Sequence, residues 1–482
     1  MARFIGRQAE LSVLGKRLKR VADSGTGVAL TIRGRRQVGK SRLVQEFCDI
    51  ADVPYVFSAA TKGASPIEAV ASFLDDLRES ALPVERELVP ELDRADWPAA
   101  FRVLASVLPQ RPCVVVLDEV PWLAEQDERF DGALQTAWDR LLSGKPVLLL
   151  LLGSDLHMME RLTAYDRPFF GRADNLVLGP LNPADVARAL GLEAPDAIDA
   201  HLVTGGLPGI VRTWPHGMPA LEFLRQEAAD PAAAVFGVPE AALMAEFPNP
   251  DVSRRVLEAV GAGDRTHANI AATAGSRGGA LPSGTLSPLL RRLTVEKQVL
   301  AVDEPLSTRP GKPALYRVAD SNLRLYLGVL RAVHEQARRG RPEAGFRLVG
   351  RRWAAWRGRA VEPMIRRSIE LAASSERLPW PDAAAVGGWW NRRFDPEIDL
   401  VGADRAPVAG KIFFAGSIKW LASGFDRHDL AAARRAVAQI PGYDPATTGL
   451  LIASLSGLGA DVDERSADVL WTPQDVIEAW QD

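Results

Sequence analysis

The sequence predicts a multidomain α/β protein. At 482 residues the chain is too long for one core and suggests about three domains. Apolar segments alternate with helical ones from Gly27 to about Leu181, and strands return after Gly387. Between these two regions lies a stretch that reads as helices and a single hairpin.

The N-terminal strands are Val28 to Arg33, Val53 to Ser58, Cys113 to Leu117, Pro146 to Leu152 and Asn175 to Leu178. They are continuously apolar rather than alternating, the mark of a parallel sheet covered by helices. This core takes residues 1–181. Residues 182–247 read as a helical lid, interrupted by the turn Gly205-Gly206-Leu207-Pro208. Residues 248–320 give short helices, Thr266 to Ala274 second and Ser283 to Thr294 third, and then a hairpin. Its strands are Val299 to Val302 and Ala314 to Val318, joined by the Pro-rich loop Asp303 to Pro313. That order is a winged helix. Residues 321–482 begin as an arginine-rich helical segment and end in a small α/β domain. Its strands are Ile398 to Val401, Ile412 to Ile418 and Leu450 to Leu455.

Composition bounds the function. Hydrophobic residues make up 47% and charged residues 25%, the balance of a soluble globular protein. A net charge of −3 gives no global basic signature, so any nucleic-acid surface is local. Cys48 and Cys113 are too few for a disulfide framework or a zinc site, which implies a reducing, cytoplasmic setting. The start, MARFIGRQAEL, lacks the apolar stretch of a signal peptide. The longest apolar run, Pro146 to Gly153, is too short to span a bilayer, so no membrane partner is expected.

The chemistry is concentrated in two motifs. Gly34-Arg35-Arg36-Gln37-Val38-Gly39-Lys40-Ser41 fits GxxxxGK followed by Ser or Thr, between a strand and the helix Lys40 to Cys48. Its glycines let backbone N–H groups curl around phosphates, and the helix N-terminus adds a favourable dipole. Gly34, Gln37, Val38, Gly39, Lys40, Ser41 and Arg42 are the expected phosphate-binding residues. Lys40 meets the β- and γ-phosphates, and Ser41 ligates Mg²⁺. The second motif is the apolar strand Val114 to Leu117 ending in Asp118-Glu119. Asp118 is expected to hold Mg²⁺ through water. Glu119 is expected to orient or deprotonate the attacking water. Ser154 ends the next apolar strand, where it either senses the γ-phosphate or caps the helix Asp155 to Leu162. Arg172 is either an arginine finger or a surface arginine.

The segments Phe4-Ile5-Gly6-Arg7, GRRQVGKS, VVLDEVPWL, LLGSDLHMME, FFGR and GGLPG resemble the archaeal-type ATPases of the STAND class, AAA-like P-loop switch proteins, over residues 1–240. The resemblance implies that Ile5 and Arg7 lie near the adenine and that Pro208 approaches the nucleotide from the lid. It also implies ATP as ligand, in keeping with the lack of a guanine-reading Asn-Lys-x-Asp element, and assembly with further copies in the ATP state.

In the winged helix, Arg291, Arg292 and Lys297 on the third helix serve either DNA contact or a structural lid. Arg338 to Arg359 holds eight arginines and one acid, and with Trp353 and Trp356 it is either a DNA surface or a packed helical linker. At the C-terminus, Asp399 on one strand and Lys419 on the next form the core of a PD-(D/E)xK pattern, with Glu362 on an upstream helix as a further acid. Residues 325–480 resemble the restriction-endonuclease-like domain fused to archaeal-type ATPases. There the lysine motif reads Glu-x-Lys, whereas here it reads Ser417-Ile418-Lys419. Serine is a poor substitute for a carboxylate as a metal ligand, which leaves one acid to be found, at Glu397 or Asp395. Three functions stay open: an ATP-driven switch, an ATP-gated Mg-dependent deoxyribonuclease, and a DNA-binding regulator that does not cut.

Overall fold

The apolar runs of the N-terminal region become a five-stranded, all-parallel sheet ordered β2-β3-β4-β1-β5. The strands are β1 (Val28–Arg33), β2 (Tyr55–Ala59), β3 (Cys113–Asp118), β4 (Val147–Gly153) and β5 (Ala173–Val177). The computed structural model describes residues 4–82, 96–247, 251–275, 279–311 and 313–481. Every residue of β3 and β4 is buried, as their unbroken Val and Leu runs require. The edge strand β5 exposes Asp174, Asn175 and Val177.

The strands are connected by α1 (Gln8–Ser24), α2 (Lys40–Ala51), α3 (Pro66–Glu79), α4 (Trp97–Val107), α5 (Val120–Gln126), α6 (Phe130–Ala137) and α7 (Leu156–Leu162). Phe73, Trp97, Phe101 and Phe130 from α3, α4 and α6 form one aromatic cluster in the core that also holds Val115 and Leu149. Burying each such ring contributes roughly 2–3 kcal/mol. This core fixes the C-terminal ends of β1, β3 and β4, where the motifs sit.

The chain divides after Leu181 into a second compact unit. It opens with α8 (Pro183–Leu190), α9 (Ala194–Thr204), α10 (Pro208–Val211), α11 (Ala220–Glu227) and α12 (Ala234–Glu246). Then come α13 (Val252–Ala262), α14 (His267–Ala274) and α15 (Ser283–Arg291), and the antiparallel hairpin β6 (Leu300–Asp303) and β7 (Leu315–Val318). α16 (Ser321–Leu325), α17 (Arg331–Arg338) and the 33-residue α18 (Pro342–Ser374) follow.

The second sheet is mixed, in the order β12-β11-β10-β9-β8. Its strands are β8 (Ala385–Trp390), β9 (Glu397–Ala403), β10 (Ile412–Lys419), β11 (Gly449–Ser454) and β12 (Val469–Trp471), with α19 (Arg427–Val437) and α20 (Pro473–Glu478) between and after them. β8 and β12 were not expected from the sequence. Gly387-Gly388 dilutes the first, and the second is only 3 residues long. Ile365 and Ile369 of α18 share a core with Leu400 and Phe414 of the sheet and with Ile198 and Leu202 of α9.

Part of the loop after β6 packs inward. Leu306 and Ser307 are buried, the Leu306 amide donates to the Gly388 carbonyl at 2.9 Å, and the Ala409 amide donates to the Ser307 carbonyl at 2.9 Å.

Candidate nucleotide site

The loop of residues 34–39 leaves β1 and enters α2. Gln37 and Gly39 take left-handed conformations, φ 68° and 93°, which turns successive amides toward one side. Gly34 is required by a close approach: a Cβ there would lie 2.3 Å from the Leu178 carbonyl oxygen. Lys40 begins α2 and is buried. Its ammonium donates to the Gly34 carbonyl at 2.8 Å and the Arg35 carbonyl at 3.2 Å. Burial pushes its pKa down, and the carboxylates of Glu119 and Asp118 partly offset this.

The acids of β3 stand beside this loop. The Ser41 hydroxyl donates to Asp118 Oδ2 at 2.5 Å, tying the start of α2 to the end of β3. Asp118 is buried, and burial raises its pKa against the opposing effect of the Ser41 bond. Glu119 holds a left-handed conformation, φ 55°, at the N-cap of α5. There its Oε2 accepts the Ser154 hydroxyl at 2.8 Å and the Ser154 amide at 3.2 Å. Ser154 therefore does not cap α7. Asp155 does, its side chain accepting the Met158 amide. The hard oxygens of Ser41 and Asp118 suit Mg²⁺, which keeps most of its waters and takes few protein ligands.

The other expected residues divide. Arg7 is buried, and its guanidinium donates to the Val38 carbonyl at 3.0 Å and the Gly179 carbonyl at 2.6 Å, and pairs with Glu10. It grips the phosphate loop from outside, with two of its nitrogens already committed to protein. Ile5 is half-buried two residues before it. The Arg42 side chain pairs with Glu46 one turn along α2, which leaves only its backbone at the loop. Within this chain Arg172 takes the surface reading. It precedes β5, and Ala173 pairs with Ala29 at the start of β1, so it stands at the edge of the sheet opposite the loop. A bidentate pair with Asp139, both bonds 2.8 Å, holds it there as a surface ion pair, out of reach of a phosphate in the same loop. Pro208 opens α10 in the second unit, after Gly205 and Gly206, both left-handed. Leu178 and Gly179 were missed from the sequence, because they act through backbone carbonyls that no side-chain type announces.

Residues 3–151 match the model of the AAA ATPase domain. No curated protein matches the chain. Among solved structures, the Walker-type ATPase PABY2304 of Pyrococcus abyssi is 18% identical with a TM-score of 0.48, covering 67% of this chain and 96% of its own. The Aeropyrum pernix ORC2 protein, in ADPNP–ADP complexes, is 13% identical with a TM-score of 0.43, covering 72% and 95%. The Aeropyrum pernix ORC1 protein in complex with DNA is 15% identical with a TM-score of 0.34, covering 70% and 93%.

In the second unit the C-terminal acids meet, but around an arginine. Arg366, one helical turn after Glu362 on α18, donates to Glu362 Oε2 at 3.4 Å and to the Asp399 carbonyl at 2.9 Å. Gly388 leaves room for it, since a Cβ there would lie 2.9 Å from the guanidinium. Asp399 Oδ2 accepts the Ser417 hydroxyl and the Ile418 amide, both at 2.9 Å. Burial raises the pKa of Asp399 and pushes Glu362 up to about 7, with Arg366 opposing both.

Lys419 is not part of this group. Its ammonium pairs with Asp429 at 2.5 Å and donates to the Gly424 carbonyl at 2.8 Å. Neither candidate for the missing acid completes a metal set. Glu397 pairs with Arg265 at 2.8 Å, and Asp395 sits in a turn closed by Asn391. Among the described residues, no group of three His, Cys, Asp or Glu side chains is placed to hold a metal. The residues here do not fit a nuclease metal, because a guanidinium balances the acids. The i,i+4 spacing of Glu362 and Arg366 was a legible signal for that pair.

The tryptophans of the arginine-rich segment pack rather than project. Trp353 is buried and stacks on Trp356 with ring centroids 5.4 Å apart. Lys297, which follows the third short helix, pairs with Glu246. Among the described residues, no helix is long and apolar enough to cross a membrane.

Proposed function

We propose that the chain is an ATP-binding, ATP-hydrolysing switch of the STAND type. The observation that supports it most is the bond from Ser41 to Asp118, with Glu119 held beside it by Ser154. Lys40 would move from the loop carbonyls to the β- and γ-phosphates, exchanging neutral acceptors for charged ones. Ser41 and Asp118 would hold Mg²⁺, which neutralises charge on the phosphates. Glu119 would orient the attacking water and take its proton as the terminal phosphoryl group leaves ADP.

The switch reading rests on how the core leaves its sheet. The Leu178 carbonyl lies against Gly34, and Arg7 joins the Val38 carbonyl of the loop to the Gly179 carbonyl. Residues 178–179 are thus packed on the phosphate loop a few positions before the second unit begins. A loop that shifts on hydrolysis would pull on that exit. In the second unit we read α13 to β7 as a winged helix with a structural role, supported by the burial of Leu306 and Ser307 in its hairpin loop. The pairing of Glu362 with Arg366 argues against DNA cleavage at these acids.

The test is parallel binding and turnover. Wild type should bind and hydrolyse ATP, Glu119→Gln should bind without turnover, and Lys40→Ala should bind neither ATP nor ADP. Hydrogen exchange at residues 176–182 should differ between ATP-bound Glu119→Gln and ADP-bound wild type. Equal ATP affinity of Lys40→Ala and wild type would overturn the site assignment. Unchanged exchange would overturn the switch.

A further inference from the structure

We propose that the outer face of α17 and α18 binds the phosphate backbone of double-stranded DNA. The two helices pack together, joined by residues 339–341. Between Arg338 and Arg359 there are eight arginines and one glutamate, in a chain whose net charge is −3. A basic strip on an acidic protein is a local field that attracts polyanions.

The structure sorts these arginines. Arg338 pairs with Glu240, Arg352 donates to the Gly328 carbonyl, and Arg357 is drawn inward by Asp199. Arg339, Arg341, Arg347, Arg351 and Arg359 are exposed, and no ion pair joins them to the described residues. Positions 347, 351, 354 and 358 recur at helical spacing, so they share one face of α18. The opposite face buries Gly345, Val349 and Trp353. Between the arginines the outer face is small. Gly350, Ala354 and Ala355 are exposed, and a Cβ added at Gly350 or Gly358 would meet nothing within 4 Å. A phosphate backbone can therefore approach the helix without side chains in the way. From residue 342 to 359 the helix runs about 27 Å at 1.5 Å per residue, the length of about eight base pairs.

The aromatic residues decide between duplex and single strand. Single-strand binding uses exposed rings on which bases stack. Here Trp353 is buried and stacked on Trp356, and the guanidinium of Arg225 lies over the Phe346 ring at 4.4 Å. The outer face has cations and small residues, and no ring. Its contacts are to phosphate, so binding shows little sequence preference. This surface is independent of the nucleotide reading.

The test is fluorescence anisotropy of the full chain with a labelled 30-base-pair duplex between 50 and 200 mM salt. Arg347 and Arg351 on the shared face predict a log–log salt slope of about −1.8, and contacts from Arg339, Arg341 and Arg359 beside it would take it to about −4.5, a loss of roughly 500-fold over that range. Arg347→Glu/Arg351→Glu should weaken binding at least roughly 30-fold and flatten the slope by about two. Its melting temperature and ATP turnover should stay unchanged, and Arg347→Lys/Arg351→Lys should retain binding. Single-stranded DNA, double-stranded RNA and phosphatidylserine vesicles are the competing probes. No duplex binding, equal binding by the charge-reversed protein, or preference for any of the three competitors would overturn the assignment.

Discussion

Each unit contains an aspartate, buried in the first and half-buried in the second, that accepts a serine hydroxyl, with a glutamate and a lysine close by in sequence or fold. In the first unit these are Asp118, Ser41, Glu119 and Lys40; in the second they are Asp399, Ser417, Glu362 and Lys419. The residue types are nearly the same, and the arrangements differ in what balances the acids. In the first unit the lysine rests on neutral carbonyls, so its charge remains available to an incoming phosphate. In the second unit the lysine is neutralised by Asp429, and Arg366 already pairs with the Glu362 carboxylate and holds the Asp399 backbone carbonyl. Residue identity makes a site possible. The charge already resident decides whether it is open or closed.

The sharpest way to break this contrast is at the first site. Glu119→Gln should lower ATP turnover at least roughly 100-fold while leaving ATP affinity near wild type, measured by phosphate release and by titration of a fluorescent ATP analogue. Asp399→Asn in the second unit should leave turnover unaltered. A comparable loss in both variants would mean that the two sites are not separable.

A second test concerns the closed site and pH. Glu362 ordinarily titrates near 4.5 and is raised to about 7 in the fold. Between those values the folded chain keeps a proton that the unfolded chain has lost, so stability falls as pH rises through that window. The effect is at most about 3 kcal/mol. Chemical denaturation of Glu362→Gln should show a flatter profile from pH 4.5 to 7. An unchanged profile would mean that Arg366 keeps the carboxylate charged throughout.

Arg7 gives a smaller effect at the open site. Arg7→Ala should weaken ATP affinity about tenfold, at roughly 1.4 kcal/mol, because the loop loses its clamp at the Val38 carbonyl. The rate at saturating ATP should change little. A collapse of the rate instead would give Arg7 a part in the chemistry.

The smallest expected effect reopens the closed site. Wild type should gain no thermal stability in the second unit from 5 mM Mn²⁺. Arg366→Ala should gain about 1 kcal/mol, as Glu362 released from the guanidinium takes the metal beside Asp399. Manganese stabilisation of wild type that is lost in Asp399→Ala would show that the guanidinium does not exclude a metal.

The sequence by itself determined the first sheet and the loop it presents. Val114 to Leu117 and Val147 to Leu152 can be buried on both faces only within a covered parallel sheet, and GRRQVGKS between strand and helix reads the same in any such sheet. Local pattern sufficed there because the functional groups are neighbours in the chain or lie at the ends of adjacent strands. What only the tertiary structure decided are the partners brought from far along the chain. Ser154 meets Glu119, Arg7 meets Val38 and Gly179, and Lys419 turns to Asp429 rather than Asp399. Several of these contacts use backbone carbonyls, which every residue has and no motif can mark. The sequence leaves both readings of Arg172 open for the same reason, since only the register of β5 on β1 shows which end of the sheet it occupies. Whether a cluster of acids is a site or a closed ion pair depends on which cation folds in beside it, and long-range packing sets that.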